Sequence, residues 1–134
     1  MVVRIIVPIV GTVPDKRTVG YVIHIANRLK AQLVVLRILG ERETEEAGGQ
    51  SLSLFIENGA AEKVPVNGIL RRGDIAAVII EVAEDKSADL IILGIGRGEI
   101  IAEWMNAKAM EKTDIPVLLI PKWVSTMKRT PPNS

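Results

Sequence analysis

Five runs of aliphatic, mostly β-branched residues punctuate this chain, and between them apolar residues recur at helical spacing. The runs are Val2 to Val7, Gln32 to Leu39, Val64 to Leu70, Leu90 to Leu93 and Val117 to Ile120. Strands apolar on both faces must be covered on both, and helices packed on each side of a mostly parallel sheet do this. The resulting order, βαβαβαβαβ, predicts an α/β domain of three layers, α/β/α. Right-handed crossovers leave few topologies for it.

Local signals place the elements. The first run ends at Pro8 and Gly11, which suit a loop. From Thr18 onward, Val19, Val22, Ile23, Ala26 and Leu29 form a helical stripe. Between Glu41 and Lys63, the glycines Gly48, Gly49 and Gly59 interrupt a pattern carried by Leu52, Phe55 and Ile56, so only a short helix is expected. Pro65 and Gly68 suit a strand at the sheet edge. Asp74 is set to cap a helix whose stripe is Ile75, Val78, Ile79, Val82 and Ala83. After Leu93 come three glycines, then a helix expected to carry Ile101, Trp104, Met105 and Ala109 on one face. The last run lies between Pro116 and Pro121. Residues 1–122 read as one domain and 123–134, which lack periodicity, as a C-terminal tail.

Charge and composition exclude several classes. Lys+Arg is 17 against 16 Asp+Glu, so no broad field draws in nucleic acid or an anionic membrane. Two Trp, one Tyr and one Phe are too few for base-stacking platforms. The absence of cysteine removes disulfides, thiolate nucleophiles and cysteine-ligated zinc, and fits a cytoplasmic location. The opening run MVVRIIVPIVG is too short to span a bilayer, so no direct membrane insertion is expected. No Ser/His/Asp set, Walker loop or histidine cluster stands out. The chain is not expected to be an enzyme, and no metal is expected.

In sheets of this kind, ligands sit at the carboxyl ends of the strands near the point where strand order reverses. That places Pro8 to Thr12 beside Gly94 to Gly98. A glycine loop opening a helix presents free N–H groups, and Arg97 adds a fixed positive charge, so a small anion or a mononucleotide is one reading. The plainer reading is a tight turn whose glycines serve backbone geometry. Glu99 and Glu103 read as a solvated face, His24 as a surface histidine, Arg71 and Arg72 as solvated charges, and Trp104 and Met105 as core or interface residues.

From Val3 to Pro121 the sequence resembles the universal stress protein family. The likeness is carried by RIIVPIVGT, LVVLRIL, RRGDIAAVIIEVAEDKSADLIILG and DIPVLLIP, the third being the most specific. The resemblance implies a five-stranded parallel sheet of order 3-2-1-4-5 and homodimers paired through the fifth strand. One branch of that family binds ATP with an acidic residue two positions after the first-strand proline, main-chain groups late in strand two and a glycine loop ending in Gly-Ser/Thr. Here Pro8 matches the proline, but Val10 holds the acidic position. Ile38 falls at the main-chain contact and Gly94 at the first loop glycine, while Glu103 and Trp104 stand where Gly-Ser/Thr would fall.

The expectation is therefore a non-catalytic stress-response or regulatory protein that works through a homodimer along Val117, Leu118, Leu119 and Ile120 and through protein partners, with no cofactor and no nucleic acid. An alternative is an adenine-nucleotide module, for AMP or a related nucleotide, with a remodelled pocket at Pro8, Gly11, Thr12, Ile38, Gly94, Gly96, Arg97 and Gly98. A further alternative is a cytoplasmic regulatory module of a membrane transporter.

Overall fold

The computed structural model describes residues 2–11, 14–94 and 99–120. Five parallel strands form one sheet: β1 (Val3–Val10), β2 (Ala31–Leu39), β3 (Val66–Arg72), β4 (Leu90–Leu93) and β5 (Val117–Leu119). Their order is β3-β2-β1-β4-β5. The connecting helices are α1 (Lys16–Leu29), α2 (Glu45–Ala61), α3 (Ile75–Asp85) and α4 (Glu99–Asn106). The order and the three layers are those expected. Among the described residues no helix is long and apolar enough to cross a membrane.

Side-chain alternation along the strands divides the core in two. Ile5, Val7, Ile9, Leu33, Val35 and Ile92 pack with Val19, Val22, Ile23 and Ala26 of α1 and Phe55 of α2. On the other face, Ile6, Val34, Leu36, Ile38, Ile91 and Leu93 pack with Ile79, Val82 and Ala83 of α3 and Ile100 and Trp104 of α4. Each apolar run thus feeds both layers, which is why it has no polar face. Asp74 caps α3 by accepting from the Ala77 N–H at 3.0 Å, and Asp15 caps α1 by accepting from Arg17 and Thr18.

Several expectations are corrected. Strand β1 does not stop at Pro8 but runs to Val10. Pro8 is tolerated inside it because the ladder to β4 ends at Ile6↔Ile91, leaving Pro8 paired with β2 alone. Leu29 is exposed at the end of α1, outside the buried stripe. Helix α4 stops at Asn106; Ala109 follows in a separate 3₁₀ turn after Lys108, which adopts a left-handed backbone.

The segment expected to hold only a short helix forms α2, at 17 residues the longest in the molecule's described part. Its buried face includes Gly48, Ser51 and Gly59. A Cβ on Gly48 would stand 2.7 Å from a Leu39 methyl and 2.9 Å from one of Leu70. One on Gly59 would collide with Val66. Two of the three glycines that looked like interruptions, Gly48 and Gly59, are where the helix backbone lies against the sheet, while Gly49 faces open space.

Candidate functional site

Beyond Ile6, β1 continues beside β2 as far as Val10↔Ile38 while β4 no longer pairs with it. The sheet reverses its order at that point, and a crevice outside the carboxyl ends is the expected consequence. A cavity of about 300 Å³ lies at this edge, walled by Val10, Ile38, Leu39 and Ile75, with Gly40, Glu41, Gly73 and Arg72 completing it. A larger hollow, about 430 Å³, lies at the opposite edge among Arg4, Gln32, Asn67 and Lys86. There the Arg4 guanidinium donates to the Lys86 carbonyl at the C-terminal end of α3, at 3.4 Å.

Beneath the carboxyl edge sits a group that sequence reasoning passed over. Arg37, on the α1/α2 face of β2, is 2% exposed. Its Nη1 donates to the Ile38 carbonyl at 2.6 Å and to Glu43 Oε1 at 3.2 Å. Its Nη2 donates to the Gly11 carbonyl at 2.6 Å and to Glu43 Oε2 at 2.5 Å. Such a bidentate pair with two further acceptors is what a buried guanidinium requires, since an unpaired buried charge is strongly destabilising. Nε alone has no partner among the described residues. Glu43 in turn accepts from the Gly40 N–H at 2.8 Å. Arg72 is exposed, as expected of a solvated charge, and it also tethers this loop by donating to the carbonyls of Gly40 and Glu43, both at 2.7 Å. The signal was present in LVVLRIL: one cation in a strand buried on both faces demands an anion, and ERETEE follows immediately.

The Arg37 hydrogen bond, helped by the Gly40 N–H, holds the Glu43 carboxyl below its usual range, although burial opposes it. A folded-state value below the unfolded one means that the stabilisation is complete above the unfolded value and is lost as pH falls through the folded one. In urea titrations, wild type should exceed Glu43→Gln by a constant margin above pH ~5, and the margin should shrink below pH ~4. A margin independent of pH down to ~3 would deny the pair this role.

The other candidates divide. Gly11 is half-buried and its carbonyl is taken by Arg37; Ile38 is buried and its carbonyl is likewise engaged. Gly94 has φ +106°, and a Cβ there would run into the Ile120 carbonyl, so its glycine serves backbone geometry. Thr12, Gly96, Arg97 and Gly98 lie outside the described residues. Trp104 is buried in the α3/α4 layer, whereas Met105 is 59% exposed and so does not join the core. His24 and Glu103 are exposed. Of the four residues offered for an interface, Leu118 and Leu119 are 38% and 49% exposed, Val117 packs partly against the core, and Ile120 is buried in it. The Ile120 side chain therefore lies inside the fold.

Comparison with known proteins agrees with this architecture. The model of the universal stress protein family matches residues 1–121, and the chain belongs to that family. No curated protein matches it. Among solved structures it is similar to a universal stress protein from Archaeoglobus fulgidus in complex with dAMP, at 20% identity and TM-score 0.68, covering 88% of this chain and 97% of that one. It is also similar to a family protein from Arabidopsis thaliana with AMP bound, at 16% identity and TM-score 0.67, covering 98% and 97%. A family protein from Burkholderia pseudomallei shares 17% identity and a TM-score of 0.65, covering 87% and 95%. At these identities the likeness concerns the fold.

Proposed function

We propose that this chain is a non-catalytic regulatory protein of the universal stress protein family that works by association, first with a second copy of itself along β5. The observation that carries the reading is β5, an edge strand with Leu118 and Leu119 both exposed. An apolar edge strand with no further strand beside it among the described residues calls for a partner, and a twofold copy satisfies both strands at once. The charged groups at the carboxyl edge favour a structural over a catalytic role, because Arg37 and Glu43 are consumed by each other. Sedimentation equilibrium on wild type at tens of micromolar should return a dimer; a monomer would end this reading.

A second reading is favoured by the cavity beside Val10 and Ile38. It is largely apolar and its size suits a planar base, and solved relatives carry AMP, dAMP or cAMP. A nucleoside monophosphate is the ligand class that fits. With Val10 in place of an acid, the ribose hydroxyls gain no carboxylate there, and triphosphate affinity is expected to be weak. Calorimetry with AMP and with Mg-ATP tests both points: AMP should bind more tightly, and the reverse order would dismiss this assignment.

A further inference from the structure

Two of the residues that frame the carboxyl edge, Gly11 and Ile38, offer their carbonyls to one buried side chain, and that side chain also grips a loop. Gly40 and Glu41 of this loop wall the cavity beside Val10. The loop is held from two sides. Arg37 and the Gly40 N–H grip the Glu43 carboxylate, and Arg72 holds the Gly40 and Glu43 carbonyls. Four of the five guanidinium donors of Arg37 are used, on three different stretches of backbone or side chain.

We propose that Arg37 is the positioning residue of this edge: it ties the backbone after β1 to the loop after β2 through Glu43, so that the two move as one unit and set the cavity wall together. Arg37 touches no ligand in this scheme. A planar fork is needed, because one guanidinium must reach Gly11, Ile38 and both carboxylate oxygens at fixed angles, which a single ammonium cannot do. Any occupant that pushes Gly40 and Glu41 outward would pull on Gly11 by the same path, a second link to the end of β1 beside the direct one through Val10, which lines the cavity.

The inference rests on the second reading only for what fills the cavity, and the test separates the two. Hydrogen–deuterium exchange would be followed by mass spectrometry on the full chain in wild type, Arg37→Met, Arg37→Lys and Glu43→Ala, with urea unfolding run in parallel. Glu43 makes no bond to Gly11, so the decisive observation is the end of β1 in Glu43→Ala. Exchange over Ile9 to Gly11 and over Ile38 to Glu43 should quicken together by roughly tenfold, the scale of one lost charge-assisted hydrogen bond. The Arg37→Met chain should show the same pattern, and Arg37→Lys should not restore protection. Loosening of Ile38 to Glu43 alone in Glu43→Ala, or quickening spread evenly over the molecule, would overturn the coupling. AMP added as probe to wild type should slow exchange in both segments. Failure of AMP to bind would remove the nucleotide reading and leave the coupling to be decided by the variants.

Discussion

Substituting Gly94 with alanine is expected to lower the unfolding free energy by about 3 kcal/mol or more, among the largest effects of any single change in this chain. Two causes add. The residue has φ +106°, a backbone that side chains rarely adopt, and the new methyl would be driven into the main chain of Ile120. Neither neighbour is free to yield, because the Ile120 N–H is bonded to the Leu93 carbonyl at 2.9 Å, fastening β5 to β4. Gly20 supplies the control. It lies in α1 with nothing within 4 Å of the place a methyl would take, and alanine there should add ~0.5–1 kcal/mol. Urea unfolding of both variants makes the comparison, and a Gly94→Ala chain within ~1 kcal/mol of wild type would mean the turn relaxes at little cost.

Lysine at Ile120 and lysine at Leu118 should have opposite consequences. Ile120 is 4% exposed and packs in the α1/α2 layer, so a charge there is forced into an apolar site and should cost roughly 3–5 kcal/mol or prevent folding. Leu118 projects from β5 towards solvent, so lysine should leave the unfolding midpoint nearly unchanged while shifting sedimentation towards monomer. Leu119→Lys should follow Leu118→Lys. A stable, fully dimeric Leu118→Lys, Leu119→Lys double variant would move the interface away from β5.

The layers, the sheet and its edges were legible because burial on both faces leaves a one-dimensional trace: Ile5, Ile6, Val7 and Ile9 need no partner to be recognised as strand. Helix α2 was not legible in full. Periodicity marks a helix by large side chains, and this one meets the sheet partly through Gly48, Ser51 and Gly59, whose contribution is closeness and not bulk. At the Gly94 end of the candidate site, the positive φ calls for glycine whether the loop is a plain turn or an anion cradle, and Gly96 to Gly98 lie outside the described residues. The Arg37 clamp was only half legible: Glu43 lies six residues on in the acidic stretch, whereas Gly11, 26 positions earlier, is brought to it by the fold. Met105, expected on the same face as Trp104, is exposed because the buried side of α4 is taken by Ile100 and Trp104.

The sheet has a broad half and a narrow half, and this orders its assembly on the ribosome. A nascent chain that has emerged through Arg72 already contains β1, β2 and β3, with the two longest ladders available to zip. The other flank of β1 must wait for Leu90 and Ile91, and the Arg4 N–H for a carboxylate 85 positions later. Closing a loop of that span adds little free energy but much delay. Until then β1 has one edge unpaired, and an unpaired apolar strand edge in a partly folded chain is open to pairing with other chains.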